Sequence, residues 1–218
     1  MKKSFVPSFI ILALTLLALS VQAAQPVPSV TQAQVRVADC KVALAKIFRN
    51  EGGFQRMRDD SGNWTGGKVG VGKLVGTKYG IAAASYPKVE IPNLALADAA
   101  RYYDRDYWGP LRLSRLRSQG LATTYLDTAV NCGTGACGIL IERMINILKG
   151  LPENTPVDPT VTRAEIDWIN DYTKSRPHRV RAYLIFQALR SERYVAIAKH
   201  DPRKRQFLDD WLIRTWRD

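Results

Sequence analysis

Apolar residues recur at three- and four-residue steps through Val37, Cys40, Leu44, Ile47 and Phe48, the spacing that lines one face of a helix. The pattern predicts a helix over 35–50, and Gly52-Gly53 supplies its stop, because glycine takes the left-handed conformation a helix end favours. Glu51 follows Ile47 by four residues and Leu44 by seven, so it continues the apolar face. Periodicity then lapses over the long, Gly-rich stretch 52–81, which predicts a β-hairpin with irregular turns. Asn93 caps a predicted helix that runs to about Trp108, with Pro110 just beyond it. Further helices are expected over 117–130, 135–149, 162–173, 177–200 and 203–216, with 152–159 as a linker-like loop. In the last helix Phe207, Leu208, Trp211 and Leu212 form a stripe expected to dock on the core. The fold class is therefore mainly α, with one short hairpin loop after the first helix.

The front of the chain reads differently. Lys2 and Lys3 precede an apolar run over 5–19, and Val21-Gln22-Ala23 offers small residues for cleavage, which predicts a secretory signal peptide over 1–23. Pro7 interrupts the run, which argues against an uncleaved anchor, and no stable membrane insertion is expected after cleavage. Residues 24–34, with Pro26 and Pro28, read as a flexible leader. An exported protein, periplasmic or secreted, is the expectation.

Charge narrows the partners. The 218-residue chain carries 32 basic and 20 acidic residues, a net of +12. The first 23 residues hold two lysines and no acids, so about +10 remains after their removal. Such a surface suits an anionic wall polymer or nucleic acid. Export disfavours the second. Gly67-Lys68-Val69-Gly70-Val71-Gly72-Lys73 imitates a phosphate-binding loop, but Leu74 stands where a nucleotide site needs Ser or Thr. A hairpin whose alternating valines and lysines line a cleft is the better account. Three cysteines, Cys40, Cys132 and Cys137, allow at most one internal disulfide; Cys132–Cys137 is sequence-local, and Cys40 with either is equally allowed. His178 and His200 have no metal spacing and no cysteine beside them, which disfavours a zinc site and a cysteine nucleophile.

Chemistry concentrates around Glu51. A carboxylate at the end of a helix, where apolar packing gives way to a loop, is disfavoured in its charged form by desolvation and by the negative end of the helix dipole. It can then donate a proton to a leaving oxygen. Arg56 and Arg58 would act in the opposite sense if they approached it. The plain alternative is a solvated helix-end residue. Asp60 comes next in a turn-rich loop, and Thr65 five residues later, giving two carboxylates and a hydroxyl.

Glu51-Gly52-Gly53-Phe54, then Asp60-Ser61-Gly62-Asn63-Trp64-Thr65, then Tyr79-Gly80-Ile81 resembles the N-terminal signature of glycoside hydrolase family 108, the N-acetylmuramidases that cut peptidoglycan. The likeness continues in Tyr107-Trp108, in Asp127-Thr128-Ala129-Val130-Asn131-Cys132-Gly133 and in Trp211-Leu212-Ile213-Arg214. Asn63 stands where a second Gly is usual, Ala82 where Thr or Ser is usual, and 66–77 is an insertion.

The resemblance implies a lysozyme-like fold with a muramidase catalytic region over 35–112. It further implies a helical region over 113–218 with a peptidoglycan-binding role. Glu51, Asp60 and Thr65 would be the catalytic trio, and Tyr79, Tyr103, Trp108 and Asn131 would contact substrate, although aromatic stripes such as Tyr103 and Trp108 also read as core. Peptidoglycan is the implied partner, with no metal or organic cofactor required. A non-catalytic wall-binding protein, or an accessory factor for secretion or lysis, is the alternative. A basic nucleic-acid-binding protein without a reader motif is a weaker one.

Overall fold

The computed structural model describes residues 37–50 and 53–216. Seven α-helices occupy most of that span: α1 Cys40–Asn50, α2 Leu96–Tyr103, α3 Gln119–Cys132, α4 Thr134–Lys149, α5 Arg163–Tyr172, α6 Arg176–His200 and α7 Leu208–Trp216. Two short strands, β1 Thr77–Lys78 and β2 Ile81–Ala82, pair antiparallel with Thr77 opposite Ala82 and Lys78 opposite Ile81. The mainly helical, lysozyme-like class expected from the sequence is the observed one, and the predicted helix bounds agree to within two residues except at α2 and at the starts of α1 and α7, where Pro202–Phe207 forms a 3₁₀ segment ahead of α7.

α3 is the buried centre. Nine consecutive residues, Leu121 to Ala129, are buried, so the helix is packed on all sides and shows little amphipathic contrast. α1 and α4 lie against it, and α6 lies against α4 and α7. Leu44 and Ile47 of α1, Leu121 and Leu126 of α3, Ile141 and Met144 of α4 and Phe186 of α6 belong to one core cluster. The region expected over 35–112 and the one expected over 113–218 thus share a single hydrophobic core.

α1 begins at Cys40, where Asp39 Oδ1 accepts from the Lys41 amide at 2.7 Å as a cap would. Gln119 clamps this start reciprocally: its Oε1 accepts from Asp39 N at 2.7 Å and its Nε2 donates to Asp39 O at 3.1 Å. The N-terminal end of α1 is thereby pinned to the first turn of α3. α3 and α4 are separated by Gly133 alone, whose φ of 87° lets the chain turn sharply between two helices. Further along α4, an added Cβ on Gly138 would sit 1.9 Å from the Pro159 carbonyl oxygen, so glycine is what lets the 150–162 loop lie on that helix.

The helix expected to start at Asn93 differs. Asn93 closes a 3₁₀ turn, Ile91–Asn93, and α2 starts at Leu96 with Ala95 as its uncapped N-cap. Its last turn widens into a π segment, Asp104–Trp108, in which Gly109 N donates to Asp104 O at 2.8 Å. The extra residue per turn puts both Tyr103 and Trp108 in the core, five positions apart, and directs Asp106 to accept from Tyr86 Oη at 2.8 Å.

An ion cluster fastens the C-terminal helices to α3. Asp127 Oδ2 accepts from Arg190 Nη2 at 2.5 Å, and Asp127 Oδ1 accepts from Arg214 Nε at 2.9 Å. Arg190 has no exposed surface, and its Nε donates to Tyr194 Oη at 3.0 Å. α7 docks through Arg214, buried Thr215 and Trp211, whose ring lies 5.2 Å from that of Tyr194; Phe207 of the expected stripe is instead 42% exposed. Burial works against the charged form of Asp127, but the hydrogen bonds and charges of Arg214 and Arg190 outweigh it and hold the carboxyl below its usual range.

Asp127→Asn leaves Arg190 buried without its counter-charge and is expected to cost about 3–5 kcal/mol, read as a lowered melting temperature. Because the folded carboxyl titrates below its unfolded value, its contribution is present at neutral pH and is lost as pH falls from about 5 through the depressed folded value. Wild-type melting temperature should therefore fall across that window more steeply than that of the Asn variant.

Candidate active site

The buried face of α1 ends on aromatic rings. Ile47 is 1% exposed, and Phe48 meets Tyr103 edge-on at 5.4 Å between ring centroids and Tyr79 at 6.3 Å. Glu51 and Gly52 lie outside the described residues. In the sequence Glu51 is the residue after the end of α1 and four beyond Ile47.

Backbone pairing positions the segment beyond the α1 stop. Gln55 and Thr77 exchange two backbone hydrogen bonds of 2.9 Å each, so this segment runs alongside β1. Between them, Arg56 to Asn63 closes into a turn around Asn63, which is fully buried. Asn63 Nδ2 donates to Gln55 Oε1 at 2.7 Å and to Met57 O at 2.9 Å. Asn63 Oδ1 accepts from Thr77 Oγ1 at 2.8 Å, and Asn63 O accepts from the Val75 and Gly76 amides. A buried amide whose donors and acceptor are all used behaves as a covalent-like hub for a loop with little regular structure.

Asp60 sits at the rim of this hub, half-buried. Its Oδ1 accepts from Gly62 N at 2.8 Å, capping the 3₁₀ turn Ser61–Asn63, and its Oδ2 accepts from Gln55 Nε2 at 3.0 Å. Each carboxylate oxygen thus holds one donor and keeps capacity for a second. The group is fixed in orientation and still able to take a water or a substrate hydroxyl.

Thr65 is placed elsewhere. Its Oγ1 accepts from Lys73 N at 2.9 Å, and its amide donates to Lys73 O at 3.0 Å. It closes the base of the inserted loop rather than joining Asp60. The hydroxyl connected to Asp60, through Asn63 and Gln55, is that of Thr77. Three members of this constellation, Gln55, Asn63 and Thr77, are not among the site residues expected from sequence. Thr77 carried a signal, since it directly precedes Lys78-Tyr79-Gly80-Ile81; Gln55 carried none. Trp64, just before the insertion, bridges to Leu74, and Val69 and Val71 at the tip are about half exposed.

The aromatic expectations divide. Tyr103 and Trp108 are 1% and 3% exposed and pack in the core, where solvent-facing sugar stacking is not available to them. Tyr103 has a positioning part, because its Oη donates to Tyr79 O at 3.0 Å and braces the left-handed turn at Tyr79, φ 52°. Tyr79 is half-buried, with Lys78 Nζ 5.3 Å from its ring centroid. Asn131 lies near the C-terminal end of α3, where its Nδ2 donates to Asp127 O at 2.9 Å. Among the described residues no hydrogen bond joins it to the Asp60 constellation.

None of the disulfides the sequence allows, Cys132–Cys137 or Cys40 with either, is formed, and all three cysteines are free thiols. Cys132 ends α3, whereas Cys137 is turned into the core in the first turn of α4 and its Sγ donates to Tyr125 O at 3.3 Å. Burial pushes the thiols of Cys132 and Cys137 up, and burial together with Asp104 pushes Cys40 up to about 12. None is an activated nucleophile. Among the described residues no group of His, Cys, Asp and Glu is arranged to hold a metal ion, and no helix is long and apolar enough to cross a membrane.

One glycine is indispensable to the geometry. Gly76 has φ 108°, and an added Cβ would meet Gln55 O at 2.5 Å and Phe54 Cε2 at 2.8 Å. Gly76→Ala should force β1 away from Gln55, lowering the melting temperature by the equivalent of roughly 1–3 kcal/mol. Any activity of the site should drop more than that destabilisation accounts for at a temperature where the variant is folded.

Residues 44–133 match the family model described as Glycosyl hydrolase 108. That span runs from the middle of α1, through the Asn63 hub, to the Gly133 break after α3. No curated protein matches the chain. Among solved structures, that of Brucella abortus SagA superposes with a TM-score of 0.58 at 18% sequence identity, covering 82% of this chain and 90% of that one. At that identity the likeness is one of fold.

Proposed function

The chain is a glycoside hydrolase that belongs, through residues 44–133, to glycosyl hydrolase family 108, and on that premise we propose that it is an exported N-acetylmuramidase. Its reaction is hydrolysis of the β-1,4 bond between N-acetylmuramic acid and N-acetylglucosamine in peptidoglycan. Glu51 is the general acid that protonates the glycosidic oxygen, and Asp60 is the second group, placing water or balancing the cationic transition state.

The observation that carries this reading is the pairing of two fixed elements. α1, which ends at Asn50, is anchored at its start by Gln119 and packed on the core through Leu44 and Ile47. The turn after it is tied back by Gln55 and Asn63 and presents an oriented carboxylate, Asp60. Glycosidic cleavage requires a general acid and a second carboxylate, and Asp60 is a carboxylate already held in one orientation. The net charge of +12 favours approach to a wall polymer bearing carboxylates. Export would proceed through residues 1–23, and the helices of 113–218 would supply wall contact beyond the cleft.

The experiment is release of reducing ends from purified peptidoglycan by residues 24–218, with products identified by mass. Wild type should yield muropeptides ending in reducing N-acetylmuramic acid, and Glu51→Gln should fall by at least about a hundredfold while still binding wall. Equal rates from both proteins would remove Glu51 from the mechanism. Products ending in reducing N-acetylglucosamine would replace a muramidase by a glucosaminidase.

A further inference from the structure

We propose that Gln55 is a positioning residue for the reaction: its side-chain amide, locked in one orientation by Asn63, aims an N–H at the Asp60 carboxylate. The inference rests on the muramidase reading, in which Asp60 acts, and adds to it the group that determines how Asp60 acts.

A glutamine amide can face a carboxylate with either end, and only the nitrogen end is attractive. Here the choice is imposed. Gln55 Oε1 accepts from Asn63 Nδ2 at 2.7 Å and from Met57 N at 3.0 Å, two donors that fix the oxygen end and leave Nε2 pointing at Asp60 Oδ2, 3.0 Å away. Asn63 is in turn oriented, because its Oδ1 accepts from Thr77 Oγ1 and its Nδ2 also donates to Met57 O. The order of dependence is Thr77, Asn63, Gln55, Asp60. Asn63 is fully buried, so its own flip would leave polar atoms unsatisfied away from water.

The backbone of Gln55 is fixed as well, by its two hydrogen bonds to Thr77. The side chain therefore has neither a backbone hinge nor a rotameric choice with which to move off Asp60. What it contributes is preorganisation: one Asp60 oxygen is occupied by a fixed donor, so the remaining lone pairs face a set direction.

Two variants test this on residues 24–218. Gln55→Glu keeps the shape and the acceptor oxygen for Asn63 and Met57 but replaces the donor facing Asp60 by a second carboxylate. Gln55→Leu removes both ends. Each is measured for kcat, KM and melting temperature on peptidoglycan, and kcat is followed against pH. Both variants should lose on the order of tenfold in kcat at neutral pH with KM little changed.

The distinguishing result is in acid. As pH falls, the carboxyl introduced by Gln55→Glu takes a proton and becomes a donor again, so its rate relative to wild type should recover, whereas Gln55→Leu should not. Folded variants with kcat within about twofold of wild type would overturn the proposal. So would a loss in Gln55→Glu that has the same pH profile as that in Gln55→Leu, since a brace without an electrostatic part predicts that. If the wild type releases no reducing ends from peptidoglycan, the muramidase reading fails first and this inference falls with it.

Discussion

One carboxylate holds the helical body together. Asp127 projects from the buried central helix and is met by two guanidinium groups, Arg190 from α6 and Arg214 from α7. Neither arginine could be taken out of water on its own, and the carboxylate could not be buried without them. The three charges therefore form an all-or-nothing contact that sets where the C-terminal helices lie against α3. The apolar packing of Tyr125 on Phe186, with ring centroids 4.5 Å apart, then completes a geometry the ions have already restricted. Because α1 and α4 both lie on α3, the support for the candidate site and the C-terminal helices answer to the same core.

The site is built by a different kind of force. It has almost no regular strand; β1 and β2 contribute two residues each. Order comes from a single buried residue, Asn63, that accepts from and donates to six neighbouring groups. Directional bonds do here what a hydrophobic face does for a helix. They also specify more: a hydrophobic contact tolerates a rotated partner, whereas the Asn63 network has one satisfied arrangement.

Much of this was legible in the sequence. Helices α3 to α6 are where the pattern puts them to within two residues, and in the sequence the apolar face of the first helix leads to Glu51. The features that could not be read depended on long-range partners. Trp108 looks like a sugar platform in sequence and is core because a π segment adds one residue to the last turn of α2. Thr65 had the right spacing from Asp60, but spacing along a loop does not say which side of an insertion folds back, and Thr77 is the threonine that returns. Cys132 and Cys137 are close in sequence, yet the helix break at Gly133 leaves them as separate thiols. In each case the determining fact was a hydrogen-bond partner well along the chain, or a change in the helical path, neither of which leaves a local signature.

The inserted loop has an evolutionary reading. Its neck is sealed twice, once by the Trp64–Leu74 bridge and again where Asn63 O receives the Val75 and Gly76 amides. Residues between Thr65 and Lys73 can lengthen, shorten or change sign of charge at only the slow logarithmic cost of loop closure, without reaching the amide hub below. The protein thus carries a replaceable fingertip on a fixed knuckle. Diversification among descendants of this chain should accumulate at the exposed side chains of Lys68, Val69 and Val71, where change leaves the hub underneath undisturbed, rather than at Gly72, whose added Cβ would meet Thr65.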